Sequence, residues 1–320
     1  MTNLAVIDLG SNSVRLRITK LLENGQYKVL AYEKEYVRLS ANMGPEKLLK
    51  PEPVARTIKA LKRFKKICQK FDDIQLISVA TAAVRQATNQ AEFLQRVEKE
   101  AGLHINVISG EREAYLDYVG VTRSLPMKNG LILDTGGASM ELILVDDGHA
   151  EETVSIPVGS VLLSQQYHLG DVIDPANLYD AIIQVDELLA SQRWLNRARH
   201  SRIVALGGSN RALAKAYRWQ HFADASTVPS VHGLTMATAD AYAMMHQLIS
   251  DNREQRAAMH GIAAARADVI VGGLLPLMAL LRQLSMKQLM FSNNGLREGL
   301  MFKYIDHKLS AESIQHLQDK

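Results

Sequence analysis

The sequence has little cysteine, and this excludes several classes of protein at once. Cys68 is the one cysteine in the chain, so an internal disulfide framework and a multi-cysteine metal site are both excluded. A single cysteine fits a reducing compartment, and we expect a cytoplasmic protein. Cys68 ends an amphipathic helical pattern, and we interpret it as a packed residue rather than as a reactive thiol.

The sequence also lacks a long apolar run. The longest such stretch extends from Val269 to Leu281 and is interrupted by Gly272, Gly273 and Pro276. It is shorter than the ~20 residues that a membrane-spanning helix needs. The N-terminus enters a strand pattern that contains Asp8, so no signal peptide is expected. We therefore expect no membrane partner.

The charge of the chain is close to balanced. It contains 37 basic and 34 acidic residues, which gives a formal net charge of +3. This weak surplus is compatible with an anionic ligand but does not indicate a nucleic-acid binder, and no nucleic-acid partner is expected. The length of 320 residues and the hydrophobic content of 47% are sufficient for two domains with substantial cores.

The stretch from Leu131 to Val145 carries the first functional signal. An apolar run ends in Asp134, a turn of small residues follows at 136–139, and a second apolar run carries Glu141. Glycines allow a sharp turn, and successive N–H groups in such turns form an anion-binding nest. A carboxylate beside a phosphate needs a cation between them, and Mg²⁺ prefers oxygen ligands. The stretch predicts a magnesium-phosphate hairpin, with a plain β-hairpin as the alternative.

A second copy of this pattern lies near the N-terminus, from Leu4 to Ile18. An apolar run ends in Asp8, Gly10 and small polar residues follow, and another strand-like run begins. Two copies suggest a duplicated architecture with one phosphate loop in each half. Two such hairpins facing each other would hold a phosphate chain from both sides.

Two further strand ends carry candidate residues. The strand pattern Ile74 to Ala80 is followed by a small-residue turn, and Arg85 opens the next predicted helix, where it would bind an oxyanion or form a surface ion pair. Glu113 follows the strand Ile105 to Ile108 and lies in the first turn of a helix. It either complements the helix dipole or projects into a cleft as a base.

The predicted elements divide the chain into two domains. The linker 124–130 contains Pro126 and the Asn129–Gly130 pair, which places the boundary between domains 1–125 and 126–300. The C-terminal helix 301–320 could pack back on the first domain. In the second domain the predicted strand 203–207 is followed directly by Gly208 and Ser209 at a helix N-terminus, which is a further potential phosphate-binding site. Strands and helices alternate, which predicts an α/β protein with mixed sheets flanked by helices.

A basic stripe follows one face of the helix predicted at Pro51 to Gln69. Its members are spaced as neighbours on a helix surface: Lys59, Lys62, Arg63, Lys66 and Lys70. The stripe is either an ordinary solvated face or a rail for a polyanion.

Eight segments, in order along nearly the whole chain, resemble the Ppx/GppA family of exopolyphosphatases and guanosine pentaphosphate phosphohydrolases. They are residues 8–13, 80–85, 109–114, 134–141, 207–209, 232–233, 266–268 and 295–299. The resemblance implies two actin-like (ribonuclease H-like) domains with an interdomain cleft, in the short two-domain form, and a homodimer.

The resemblance also implies roles for single residues. Glu113 would activate the attacking water and Arg85 would contact the phosphate, as the catalytic pair. Asp134, Glu141 and Asp8 would be associated with Mg²⁺ or Mn²⁺. The implied phosphate-binding residues are Ser11, Asn12, Ser13, Gly136, Gly137, Ala138, Ser139, Gly208 and Ser209.

The activity implied by the resemblance is metal-dependent hydrolysis of a terminal phosphoanhydride. Inorganic polyphosphate is the first substrate expected, and guanosine pentaphosphate (pppGpp) is the alternative. A sugar or acyl kinase and a sensor that binds without turnover stay open as rival functions. Arg112, Ala138 and Leu162 depart from the family pattern, and these departures bear on the substrate more than on the chemistry. Ala138 would strain the loop only if its φ were positive.

Overall fold

The computed structural model describes residues 2–23, 25–222 and 228–306. These residues form two compact units, one made of 2–120 with 296–306 and the other of 121–295. Each unit contains a mixed sheet with helices packed against it. None of the described helices is long and apolar enough to cross a bilayer.

The first unit is built on a five-stranded sheet with the order β3-β2-β1-β4-β5. Its strands are β1 (Thr2–Leu9), β2 (Val14–Leu21), β3 (Tyr27–Glu35), β4 (Ile74–Ala80) and β5 (Asn106–Val107). Strand β2 pairs antiparallel with both β1 and β3, whereas β1, β4 and β5 are parallel to one another. The helices are α1 (Pro51–Cys68), α2 (Ala82–Arg85), α3 (Gln90–Ala101) and α4 (Gly110–Thr122).

The central strand β1 explains how this unit is layered. Its side chains alternate between the two faces of the sheet, and both faces are covered. Ala5, Ile7 and Leu9 belong to the core under α1 and α3, while Leu4 and Val6 belong to the core on the opposite face, with α4. A strand buried on both faces has a continuous apolar sequence, which is why the run at residues 4–7 stands out before Asp8.

The second unit has a six-stranded sheet with the order β10-β11-β9-β6-β7-β8. Its strands are β6 (Gly130–Thr135), β7 (Met140–Asp146), β8 (His149–Ile156), β9 (Ile203–Gly207), β10 (Thr235–Ala237) and β11 (Gln288–Phe291). Its helices are α5 (Ser160–Gln166), α6 (Pro175–Ala190), α7 (Gly208–His221), α8 (Thr238–Ser250), α9 (Arg253–Ala258) and α10 (Ile270–Gln283), with 3₁₀ turns at Arg193–Ala198 and Ala264–Arg266.

The two sheets repeat one topology. In each unit a hairpin of two antiparallel strands is extended by a third strand on one side and by two parallel strands on the other. Strands β8-β7-β6-β9-β11 therefore correspond to β3-β2-β1-β4-β5. The prediction of an α/β fold with mixed sheets flanked by helices is confirmed in both units.

The chain returns to the first unit through α11 (Leu296–Ile305), which packs on the face of β1 shared with α4. The predicted C-terminal helix 301–320 therefore begins within α11, and its part beyond residue 306 lies outside the described residues. Arg85 ends the short helix α2 instead of opening the next helix. The helix α6 had no counterpart among the sequence-based elements.

Candidate active site

The predicted site residues of the first unit gather at one edge of its sheet. Because β1, β4 and β5 are parallel, their carboxyl ends meet at the same edge, which is where ligands bind in sheets of this kind. Asp8 lies at the end of β1, Arg85 follows β4, and Glu113 follows β5. Residues far apart in sequence are thus brought to one edge by the strand order.

The first loop, Gly10–Ser13, joins β1 to β2, and its last three carbonyl groups accept hydrogen bonds. Gly10 N–H donates to Ser13 O at 3.2 Å, while Ser11 O accepts from Ser40 N–H and Asn12 O from Arg38 N–H, both at 3.0 Å. The N–H groups of Ser11, Asn12 and Ser13 find no acceptor within the described chain. The Asn12 side chain is 6% exposed, and neither end of it has a hydrogen-bond partner there. Unpaired donors of this kind suit an oxyanion.

Arg85 and Glu113 form an ion pair at this edge. Arg85 Nη1 donates to Glu113 Oε2 at 3.0 Å and to Ile108 O at 2.9 Å. Glu113 belongs to the first turn of α4, where Glu113 N–H donates to Ser109 O and Arg112 N–H donates to Ser109 Oγ. The Glu113 carboxylate is held by Arg85 and its backbone by Ser109, so it has a defined position for a water molecule or a phosphate oxygen.

Asp8 has a different environment from the other predicted metal ligands. Its Oδ2 atom accepts from Arg297 Nη1 at 3.1 Å and lies 3.8 Å from Arg15 Nη1. Burial lowers the pKa of Arg297, but the carboxylates of Glu298 and Asp8 outweigh this effect and raise the pKa above its usual value. Asp8 is thus neutralised by two guanidinium groups, and its role as a metal ligand stays a prediction.

The second loop, Gly136–Ser139, repeats the first loop in the second unit. Gly136 N–H donates to Ser139 O at 2.9 Å, and Gly136 O accepts from both the N–H and the hydroxyl of Ser160 at 3.0 Å. Gly137 O accepts from Val161 N–H at 2.9 Å, whereas the N–H groups of Gly137 and Ser139 have no acceptor among the described residues. The same bond from the first residue of the turn to the fourth therefore closes both loops.

Two departures from the family pattern fall on this second loop. Ala138 is buried and does not have a positive φ, so the methyl group causes no backbone strain there. Leu162 lies in α5 behind the loop, and its N–H donates to Gly137 O at 3.3 Å. Gly159 precedes α5 and approaches the loop so closely that a Cβ would lie 2.7 Å from Gly137 C. Sequence reasoning assigned no site role to Gly159.

Asp134 and Glu141 lie directly opposite each other on β6 and β7, so their side chains share one face of the sheet, with Cβ atoms about 5 Å apart. Glu141 is 1% exposed, and its Oε1 accepts from Ser155 Oγ at 2.8 Å. Among the described residues no group of three or more His, Cys, Asp or Glu side chains could hold a metal ion. Two facing carboxylates fit Mg²⁺, which commonly takes its other ligands from phosphate and water.

Gly208 and Ser209 open α7 at the end of β9, beside the second loop. Gly207 before them has φ +92°, and a Cβ there would lie 2.3 Å from Thr135 O, so only glycine fits. Arg266 is 5% exposed; its guanidinium group packs on Gly208, and its Nη1 donates to Ser209 Oγ at 3.3 Å. The motif at 266–268 was visible in the sequence, but the position of Arg266 beside this helix terminus was not.

Comparison with known proteins agrees with this geometry. The model of the Ppx/GppA phosphatase family matches residues 19–308. This chain belongs to that family. The resemblance found in the sequence is therefore confirmed.

Individual relatives support the assignment. A guanosine-5'-triphosphate,3'-diphosphate pyrophosphatase of Aeromonas hydrophila is 31% identical over 318 residues, which cover 98% of this chain and 62% of the relative. A bifunctional 3-dehydroquinate synthase/phosphatase of Fusobacterium nucleatum is 28% identical over 316 residues, covering 95% of this chain and 47% of the relative. The chain thus spans less than two thirds of the length of either relative.

One solved structure matches this chain over nearly its full length. The crystal structure of an exopolyphosphatase from Cytophaga hutchinsonii has a TM-score of 0.89 at 25% identity, and the match covers 97% of this chain and 99% of that one. The predicted architecture of two units with mixed sheets flanked by helices is confirmed, and the actin-like relationship stays a prediction.

Proposed function

We propose that this protein hydrolyses the terminal phosphoanhydride bond of inorganic polyphosphate in a magnesium-dependent reaction that releases orthophosphate. The observation that carries the proposal is the repeated loop. Two turns of the same hydrogen-bond pattern, one in each unit, leave backbone N–H groups without an acceptor in the described chain. Such N–H groups suit the oxygens of a phosphate chain, and the Cytophaga hutchinsonii structure bears the name exopolyphosphatase.

The residues of the chain divide the chemistry among them. Glu113 orients or deprotonates the attacking water, and Arg85, at 3.0 Å, keeps the carboxylate in place and contacts the departing phosphate oxygen. Within its own unit, each loop offers N–H groups that suit phosphate oxygens. Asp134 and Glu141 would hold Mg²⁺, which supplies charge neutralisation at the phosphate oxygens. Positioning and electrostatics of this kind account for most of the rate in phosphoryl transfer.

The runner-up substrate is pppGpp, from which the same chemistry would remove the 5′-terminal phosphate. The Aeromonas hydrophila relative, with 31% identity, carries the name of such an enzyme. Both substrates present a terminal phosphoanhydride, so the loops and Glu113 serve either one.

Phosphate release from long-chain polyphosphate, tripolyphosphate and pppGpp, measured with a fluorescent phosphate sensor with and without Mg²⁺, tests the proposal. We expect the highest kcat/KM for long-chain polyphosphate, with loss of release in EDTA. A higher value for pppGpp would select the alternative. Transfer from ATP to an acceptor without release into water would indicate a kinase, and tight binding without release would indicate a sensor.

Replacing Glu113 tests the role of the catalytic base. We expect Glu113→Gln to lower turnover by at least ~10²-fold, the range for loss of a general base, while tripolyphosphate binding survives. Glu111→Gln is the matched control, because Glu111 is exposed in the same first turn of α4. Near-normal phosphate release by Glu113→Gln would contradict the role.

We also propose a cytoplasmic location and a homodimer. The free cysteine Cys68 is buried, which fits a reducing compartment. Light scattering on the purified chain measures the oligomeric state directly.

A further inference from the structure

A groove of about 620 Å³ lies along α1 in the first unit. It is lined by Tyr36, Val37 and Ala60 and by a set of charged residues in which cations outnumber acids five to one: Arg56, Lys59, Lys62, Arg63, Lys66 and Glu35. We call it the α1 groove. The basic stripe seen in the sequence, apart from Lys70, is therefore one wall of a concave surface rather than a convex helix face.

The cations of the α1 groove are only partly paired. Arg56 forms an ion pair with Glu52, Arg63 forms ion pairs with Glu33 and Glu35, and Lys62 lies 3.4 Å from Glu100. Lys59 and Lys66 have neither an ion pair nor a side-chain hydrogen bond among the residues that the structure describes. Exposed ion pairs contribute about 0–1 kcal/mol, so the paired side chains can exchange a carboxylate for another anion at little cost.

The α1 groove is continuous with the first loop. Glu35 pairs with Val14, which directly follows that loop. Beyond the groove residues Tyr36 and Val37, Arg38 N–H donates to Asn12 O, and Ser40 N–H donates to Ser11 O. Residues 35–40 thus begin in the groove and end against the loop.

The end of the α1 groove that is nearest to the first loop is marked by Arg56. Arg56 donates to Val37 O at 3.2 and 3.3 Å, and the cations then continue at helical spacing to Lys66, about 15 Å further along the helix. The row of cations therefore leads away from the first loop.

We propose that the α1 groove binds the inner part of an inorganic polyphosphate chain whose end lies at the first loop. The proposal rests on the proposed function, to which it adds a preference for long chains. Each inner phosphate carries a negative charge, so a linear chain matches a row of cations. Single-stranded nucleic acid would also require aromatic faces for its bases, and the ring of Tyr36 is covered by the Lys34 ammonium group at 4.0 Å.

The double variant Lys59→Gln/Lys66→Gln tests this groove. Both lysines are exposed, so the fold is preserved, and a thermal melt verifies this. Binding is measured by calorimetry in EDTA, without turnover, for long-chain polyphosphate and for tripolyphosphate. The matched control is Lys99→Gln/Lys287→Gln, which removes two exposed lysines outside the groove.

We expect the groove variant to bind long-chain polyphosphate about tenfold more weakly than the wild type. Its salt dependence should also fall, by about 1.4 in the slope of log K against log salt, by analogy with single-stranded nucleic acids. Tripolyphosphate binding should change less than about twofold, because a short ligand at the loop does not reach Lys59 and Lys66. The control variant should bind both ligands as the wild type does.

Three results would overturn the proposal. The groove variant could bind long-chain polyphosphate as the wild type does, or it could lose affinity for the two ligands equally. In the third, single-stranded RNA with the same number of phosphates would bind the wild type at least as tightly as polyphosphate, which would make this a nucleic-acid groove. These binding measurements need no catalysis, so they test the groove separately from the proposed function. A wild type that releases no phosphate would refute the proposed function, whereas the groove proposal would still be decided by the binding results.

Discussion

Gly159→Ala is expected to displace the second loop without straining its own backbone. Gly159 has φ −162° and ψ −178°, an extended conformation that alanine adopts freely. The added Cβ would lie 2.7 Å from Gly137 C and 2.8 Å from Ala138 N. Ordinary contacts begin at 3.4 Å, so the loop has to retreat by roughly 0.7 Å, because backbone atoms cannot rotate away as a side chain can.

The magnitude of the effect follows from that displacement. Overpacking of this kind costs about 1–3 kcal/mol, which lowers the melting temperature by about 2–12 °C. A misplacement of about 1 Å can lower a rate about 10²-fold, so a shift of roughly 0.7 Å should lower kcat/KM for polyphosphate by about 10-fold to 10²-fold. Differential scanning fluorimetry measures the first effect, and the fluorescent phosphate sensor measures the second.

The matched control is Gly170→Ala. A Cβ at Gly170 would meet its nearest neighbour, Asp268 O, at the ordinary distance of 3.5 Å, so stability should change by less than about 0.5 kcal/mol and turnover should stay normal. If Gly159→Ala matched this control in both melting temperature and turnover, the close contact between Gly159 and the loop would not support the phosphate site.

The remaining predictions concern the metal and the cysteine. Asp134→Asn should weaken Mn²⁺ binding, measured by electron paramagnetic resonance, at least about tenfold. Asp8→Asn should change Mn²⁺ affinity less than about twofold, because two guanidinium groups already neutralise Asp8. Equal losses of affinity in the two variants would make Asp8 a metal ligand. Burial raises the pKa of Cys68 to about 11, against a smaller opposing effect of a backbone hydrogen bond, so the folded protein should resist a thiol reagent at pH 8 that labels the unfolded chain. Because the folded thiol stays neutral, its contribution to stability is complete below the unfolded pKa of about 8.5 and is lost as pH rises towards 11. Melting curves that show no such loss across that pH range would contradict the burial of Cys68, and so would rapid labelling of the folded protein.

The hairpins could be predicted from sequence because they are local. Each consists of an apolar run, an aspartate, a glycine-rich turn and a second apolar run, and neighbouring residues alone decide such a turn. The duplicated pattern at 4–18 and 131–145 therefore predicted a duplicated architecture with one loop in each half, and the two sheets share one topology. The strand Ile74–Ala80 was also recovered with its bounds, since a buried run between turn residues is a strong signal.

The helix α6 was missed although its signals are local. Asp174 caps its N-terminus, Pro175 opens it, and its buried residues Ala181, Val185 and Leu189 are spaced four apart. Only the tertiary structure decides that this buried face packs on α10. The helix α4 begins at Gly110, so Glu113 lies in its first turn as the sequence predicted, and the Ser109 hydroxyl accepts a hydrogen bond from Arg112 N–H there.

The sequence by itself determined the residue types at the strand ends, the two glycine-rich turns and the family to which the chain belongs. Only the tertiary structure decided which groups neutralise one another. Asp8 meets Arg297 across 289 positions of the chain, Arg85 meets Glu113, and Arg266 covers Gly208. Electrostatic interactions depend on distance through space, and the parallel strand order that sets those distances is itself the outcome of packing two apolar faces. The basic stripe on α1 is one more example. The spacing of its residues is local, but the stripe lines the α1 groove only because residues 35–40 fold against the first loop.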